Sequence, residues 1–175
     1  MSLSLRKRAV LAAATGLGLG YSPFASGTCG ALLGLPMGLA LSTLHAHVWL
    51  QVAIAALLVV LAIPICDAAE KIFGIKDDGR IVADEYMLLP ICFIGMGDIL
   101  GKLLAGGSDS RGAVAFMAFA FLVSRIVDIA KPSPCRQIQR VEGGLGVVLD
   151  DLFASIYSWI IIWGLSDYVV SLVAG

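Results

Sequence analysis

Charge is scarce in this sequence: Lys and Arg number 12 and Asp and Glu 13, so 14% of the 175 residues are charged, against about 25% in a soluble domain. The formal net charge of −1 leaves no basic field for nucleic acid, and no basic patch interleaved with aromatics replaces one. Histidine is rarer still. His45 and His47 sit two apart with no ligating partner nearby, which fits a polar interfacial turn better than a metal site. Cys29, Cys66, Cys92 and Cys135 have no C-x-x-C spacing, so neither a zinc site nor a disulfide framework is indicated and they read as small packing residues. A nucleotide cofactor lacks its loop, because no Gly-rich segment ends in Lys-Ser/Thr and "GLGLG" and "GGLG" have no strand–helix–strand setting. Also missing are a Cys followed six positions later by Arg and any D-x-D pair, which removes two covalent routes to phosphate hydrolysis.

What fills the chain is hydrophobic sequence, 59% of it. Apolar runs cover residues 29–44, 48–66, 86–105, 112–127 and 152–173. A helix needs roughly 20 residues to cross about 30 Å of hydrocarbon. The second, third and fifth runs therefore suffice, while the first and fourth are short, suited to a thinned bilayer or to half-buried or re-entrant helices. The reading is one all-α, multihelical integral membrane domain over residues 1–175, with about five apolar helices. "AVLAAATGLGLG" (9–20) after Arg6-Lys7-Arg8 could be taken for the start of a secretory signal, but its small residues equally fit a ligand loop.

Lys and Arg placement gives the orientation. With a cytoplasmic N-terminus and five crossings, Arg6, Lys7, Arg8, Lys71, Lys76, Arg80, Arg125, Lys131, Arg136 and Arg140 fall on the cytoplasmic side, leaving Lys102 and Arg111 elsewhere. The same arrangement gathers the polar loops "GYSPFASGT" (20–28), "DDGRIVADE" (77–85), "SRIVDIAKPSP" (124–134) and "VEGGLGVVLDD" (141–151) on the cytoplasmic face. The opposite loops, "STLHAHV" and "AGGSDSRG", carry no comparable set.

Asp84, Glu85, Asp128, Asp150 and Asp151 are thus five carboxylates beside apolar helix ends, with Arg125 and Lys131 close in sequence. Hard oxygen ligands suit magnesium, which takes one or two protein carboxylates and completes its shell with water and phosphate oxygens. The plainer alternative is helix capping, by Asp84 ahead of the 86–105 helix and by Asp150 or Asp151 ahead of the 152–173 helix. "GYSPFASGTCG" divides likewise between a close backbone approach to phosphate and a simple cap at Ser26-Gly27-Thr28. The reaction these groups suit is metal-assisted phosphoryl chemistry.

"GYSPFASGTCGALLGLP", "IVADE", "DIAKPSP" and "GGLGVVLDD", in this order, resemble phosphatidylglycerophosphatase A, the likeness running from about Gly18 to Ala154. The resemblance implies an all-helical fold and a magnesium-dependent phosphatase of the bacterial inner membrane that converts phosphatidylglycerophosphate to phosphatidylglycerol and phosphate. On that basis Asp84, Glu85, Asp128, Asp150 and Asp151 are the expected metal ligands, with Asp128, Asp150 and Asp151 in catalysis. Arg125, Lys131 and Thr28 are the expected partners of the phosphate. The lipid would keep its acyl chains in the bilayer and present only its headgroup. The chain departs from the family pattern at Ser26, Leu88, Leu89, Ser124 and Val127. Two other classes share parts of this profile. A CDP-alcohol phosphatidyltransferase would also be small, helical and acidic, but its D-G-x-x-A-R motif is out of register in "DDGRIVADE" and its downstream acidic motif is absent. A non-enzymatic transporter or assembly protein would need charges along a path, and only Asp98, Lys102 and Asp167 lie well inside the runs.

Overall fold

The computed structural model describes residues 4–44, 47–105, 111–138, 141 and 143–173, and every regular element among them is helical. In chain order these are α1 (Leu5–Ala14), α2 (Ser26–Ala31), α3 (Gly34–Ser42), α4 (Val48–Phe73), α5 (Ala83–Leu88), α6 (Gly97–Ala105), α7 (Arg111–Ala130), α8 (Cys135–Ile138) and α9 (Gly144–Val173), with a 3-10 segment at Leu89–Phe93 continuing α5. The turn expected at His45, the loop at 106–110 and Arg140 fall outside the described residues.

Three of these helices, α4, α7 and α9, are long and apolar enough to cross a membrane, and the pair formed by Ala83–Phe93 and α6, bent by 79°, makes a fourth if taken as one broken span. The count is therefore three or four among the described residues rather than five. The run at 86–105, adequate by length, is the broken one, whereas the short run at 112–127 lies inside a 20-residue helix. The helices also outrun their apolar stretches. α4 continues through Asp67 and Glu70 to Phe73, and α9 starts at Gly144, ahead of Asp150 and Asp151. Polar residues extend a helix in this way when their side chains find partners across the bundle, which an apolar-run reading does not register. α4 stops at Gly74, whose left-handed φ of +71° lets its N–H return to the Glu70 carbonyl at 2.7 Å.

α9 packs against α4 and α7 and forms the centre of the bundle. α4 and α7 run toward one end and α5 and α9 run away from it, so residues near 73, 83, 130 and 144 share that end. Leu103, Gly112 and Val173 meet at the other. A ladder of glycines brings α2 and α3 onto α5. A β-carbon at Gly30, Gly34 or Gly38 would come within 2.4 Å of Val82, 2.6 Å of Leu89 and 2.3 Å of Phe93, respectively. This four-residue spacing allows backbones to approach as small-residue stripes do in membranes.

The break at Ile94–Met96 frees backbone groups that lipid cannot satisfy. A buried and a half-buried side chain from the flanking spans meet them: Gln51 Oε1 of α4 accepts from the Gly95 N–H at 2.8 Å, and Trp159 Nε1 of α9 donates to the Ile94 carbonyl at 2.9 Å. Replacing Gln51 with Leu leaves the Gly95 N–H unpaired, for which we expect a stability loss of about 1–3 kcal/mol. Thermal unfolding in detergent measures it, and an unchanged melting temperature would show that the break does not depend on Gln51.

Candidate active site

At the shared end, three helices and the residue after one of them deliver acids and bases to one place. Asp84 and Glu85 come from the first turn of α5, Arg125 and Asp128 from the last turns of α7, Lys131 from the residue after it, and Asp150 and Asp151 from α9. Arg125 Nη2 lies 3.0 Å from Asp128 Oδ2 and 3.4 Å from Glu85 Oε1, so one guanidinium bridges α7 and α5. Lys131 Nζ pairs with Asp150 Oδ2. Burial lowers the basicity of this ammonium, but the hydrogen bond and charge of Asp150, with Asp151 and Asp128 nearby, outweigh it and hold its pKa above the usual lysine value.

Asp150 and Asp151 are the seventh and eighth residues of α9, counting Gly144 as the first, and are only 3% and 7% exposed. That position excludes helix capping for the pair. The start of α9 is met instead by Asp67 of α4, whose carboxylate accepts from the Gly144 N–H. The close approach needs glycine, since a β-carbon at Gly144 would sit 2.3 Å from the Ile63 carbonyl. Successive residues of a helix diverge by about 100°, and the pair divides accordingly: Asp150 faces Lys131, while Asp151 lines a pocket.

That pocket lies between α2, α5, α7 and α9 and is lined by Glu85, Leu89, Ser124, Arg125, Asp128 and Asp151, among others. Its volume of ≈ 20 Å³ has room for a water or a small cation, a water needing roughly 10–15 Å³. Glu85 Oε2 and Arg125 Nε, from two residues that line it, are buried without a hydrogen-bond partner, as is Asp84 Oδ1 on the neighbouring residue of α5. Unpartnered anionic oxygens in a closed site fit a hard cation. Among the described residues no group of three or more His, Cys, Asp or Glu side chains is already drawn in to hold an ion. A site of the magnesium kind needs only one or two protein carboxylates, with water and phosphate supplying the rest.

The structure thus brings together Asp84, Glu85, Arg125, Asp128, Lys131, Asp150 and Asp151. Thr28 is different. It is half-buried on α2 with no side-chain hydrogen bond to the acids, although the preceding residue touches the cluster, since a β-carbon on Gly27 would lie 2.0 Å from Glu85 Oε1. Neither Ser26 nor Thr28 caps α2; the N-cap position is Ala25 at φ +45°, and Ser26 Oγ donates instead to the Gly79 carbonyl at 2.6 Å.

That bond helps fix the 74–82 loop, which the sequence marks as polar without assigning its parts. Asp78 accepts from Arg80 N, Nε and Nη2 at 3.0, 2.8 and 2.6 Å, and the guanidinium lies 3.9 Å over the Phe73 ring. The Arg80 hydrogen bonds hold the Asp78 carboxyl below its ordinary pKa. Glu70 Oε1 accepts the Asp77 N–H at 2.6 Å. The loop so held presents Asp77, at φ +50°, within electrostatic range of Asp84 and Asp150. Asp67, Glu70 and Asp77 are thus additional acids of the region. Their signals in the sequence are the i, i+3 spacing of Asp67 and Glu70 after an apolar run and, for Asp77, its place in the polar loop "DDGRIVADE".

These features define a multihelical membrane protein with a small charge-dense pocket at one end of an apolar bundle. The family model described as "Phosphatidylglycerophosphatase A" matches residues 12–166. Similar proteins are a "Putative phosphatidylinositol-3-phosphatase" of Bacteroides thetaiotaomicron, 36% identical over 85% of this chain and 87% of that one, and a phosphatidylglycerophosphatase A of Escherichia coli, 32% identical over 83% of this chain and 76% of that one. A phosphatidylglycerophosphatase A of Haemophilus influenzae is 30% identical over 90% and 88%. No solved structure matches the chain. The chain belongs to the phosphatidylglycerophosphatase A family, a family of phosphatases. This membership sets aside both the phosphatidyltransferase and the transporter.

Gly27 gives a test of the cluster. The atoms a β-carbon would strike there belong to the end of the Glu85 side chain, so Gly27→Ala should leave the fold intact and push Glu85 off Arg125. Misplacing a catalytic group by about 1 Å costs on the order of 100-fold in rate. Phosphatase activity should fall by that order with the melting temperature nearly unchanged; full activity would show that the position of Glu85 does not matter.

Proposed function

We propose that the protein hydrolyses the terminal phosphomonoester of phosphatidylglycerophosphate to phosphatidylglycerol and inorganic phosphate, with magnesium as cofactor. The observation that supports this most is the pocket lined by Glu85, Asp128, Asp151 and the Arg125 guanidinium, with unpartnered carboxylate oxygens on Glu85 and on the adjacent Asp84. The metal-holding residues in this reading are drawn from Asp84, Glu85, Asp128, Asp150 and Asp151. When bound, magnesium polarises the phosphoryl group and lowers the pKa of water.

The chain's own groups do the rest. Arg125 and Lys131 neutralise the phosphoryl oxygens, and Thr28, on the α2 edge of the site, donates a hydrogen bond to one. A carboxylate among Asp128, Asp150 and Asp151 accepts the proton of the attacking water. Water oxygen bonds to phosphorus, the bond from phosphorus to the headgroup oxygen breaks, and that oxygen takes up the proton held by the carboxylate and leaves as the alcohol. The apolar flanks of α4, α7 and α9 keep the acyl chains in lipid while the headgroup reaches the end of the bundle.

In this reading the site faces the cytoplasm, from a multi-pass position in the inner membrane. Lys71, Lys76, Arg80, Arg125 and Lys131 lie at the site end and Lys102 and Arg111 toward the other, as the positive-inside rule expects. The name of the Bacteroides relative supports a second headgroup, a 3-phosphorylated inositol lipid. The reacting phosphomonoester is the same, so the two readings differ in what surrounds it.

Phosphate release by the purified protein from each lipid, with and without EDTA, decides between them. We expect release from phosphatidylglycerophosphate, abolished by EDTA and restored by magnesium. Asp150→Asn and Asp151→Asn should each lower it by about 100-fold or more and raise the magnesium needed for half-maximal rate, because an amide keeps the shape but loses the charge. Wild-type rates in both variants across magnesium concentrations would remove the pair from the chemistry.

A further inference from the structure

Two cations neutralise the acidic cluster, and they are held in different ways. Arg125 is the more enclosed: its Nη2 lies between Glu85 and Asp128, and its side chain is 14% exposed. Lys131 is looser. It reaches Asp150 from the connection after α7 and is 26% exposed, while its partner is 3% exposed on a rigid helix. Its backbone stands at φ +42°, a left-handed conformation uncommon for a residue with a β-carbon, with its N–H still closed onto the Val127 carbonyl at 2.9 Å. Asp151, Asp128 and Glu85 are all within electrostatic range of its ammonium, so the ammonium sits in the field of these acids as well as of its partner. Asp150 must have a counter-charge as long as it stays ionised and buried, and in this structure Lys131 supplies it.

We propose that Lys131 is an exchangeable counter-ion of Asp150: it holds this carboxylate in the metal-free site, yields it to a divalent cation, and then delivers its own charge to the phosphoryl oxygens of the substrate. This rests on the reading above that the acids hold a divalent cation, and it adds that a lysine and the metal compete for one carboxylate. Phosphate binding by Lys131 is thereby tied to metal binding, since the ammonium is released only when Asp150 has another partner. Substrate entering before the metal meets a lysine already engaged.

Competition predicts opposite signs from one substitution. Removing the Lys131 charge should tighten binding of the metal alone, by about tenfold for the loss of one nearby like charge, while impairing hydrolysis. A fixed structural ion pair predicts the reverse, because an unpaired Asp150 would distort the site and weaken metal binding. A lysine too far from the acids to repel a cation predicts no change.

The experiment titrates Mn²⁺ into the detergent-purified full chain without substrate, following free Mn²⁺ by electron paramagnetic resonance, for wild type, Lys131→Met, Lys131→Gln and Asp150→Asn. Thermal unfolding with and without Mn²⁺ accompanies it. The expected result is tighter Mn²⁺ binding in both Lys131 variants and a larger Mn²⁺-induced rise in melting temperature than in wild type, with Asp150→Asn weakened. Unchanged or weaker binding in the Lys131 variants overturns the exchange. So does failure of both to fold in Mn²⁺, because exchange requires the cation to replace the lysine charge. Wild-type Mn²⁺ binding in Asp150→Asn also overturns it while leaving the metal reading standing. No Mn²⁺ binding by the wild type overturns both.

Discussion

Like charges gathered at the end of an apolar bundle have to be neutralised from within the molecule, and much of this structure follows from that constraint. Asp84, Glu85, Asp128, Asp150 and Asp151 converge where water is largely excluded, and Arg125 and Lys131 supply fewer charges than the acids require. The deficit leaves carboxylate oxygens without partners. Such an arrangement is costly in a protein that only needs to be stable, because apolar groups would fill the same volume at lower cost. In the proposed reading the same deficit is an affinity for cations, and the helices extend past their apolar runs to bring the acids together.

Small residues set the dimensions of the site. Gly27 leaves room for the Glu85 carboxylate, Gly144 allows α9 to meet the backbone of α4, and the Gly30–Gly34–Gly38 ladder seats α3 against the α5 segment. Leu89 and Ser124, two positions at which this chain departs from the pattern it resembles, both line the pocket. Two of the five departures from the pattern the chain resembles therefore fall in the wall of the pocket. That is also where discrimination between one polyol headgroup and another would be built.

The helical class and the polar end were legible because composition and loop placement carry them directly. The carboxylates were legible because "IVADE" and "GGLGVVLDD" set them beside apolar runs. Three things were not. The broken span was hidden because Ile94–Met96 is as apolar as its neighbours, and the groups that stabilise the break, Gln51 and Trp159, are 44 and 65 residues away from the atoms they bond. The start of α9 was misjudged because hydropathy changes at Leu152, whereas the helix begins where Asp67 of another helix accepts its first N–H. The loop at 74–82 gave only its polarity, since the division of labour between Asp78, which clamps Arg80, and Asp77, which faces the acids, depends on a left-handed backbone that the dipeptide does not announce.

The bend between α5 and α6 has a bearing on how the chain is made. Its backbone is satisfied on one side by a residue translated earlier, Gln51, and on the other by one translated later, Trp159. A nascent chain inserted from its N-terminus therefore holds Ile94 without its indole donor until α9 has entered the membrane. Before that point the hairpin has an incentive to stay near water or the insertion machinery rather than in lipid. α9 thus supplies both the donor that satisfies the bend and, in Asp150 and Asp151, two acids of the charged site, so the middle of the bundle and the site depend on the same helix.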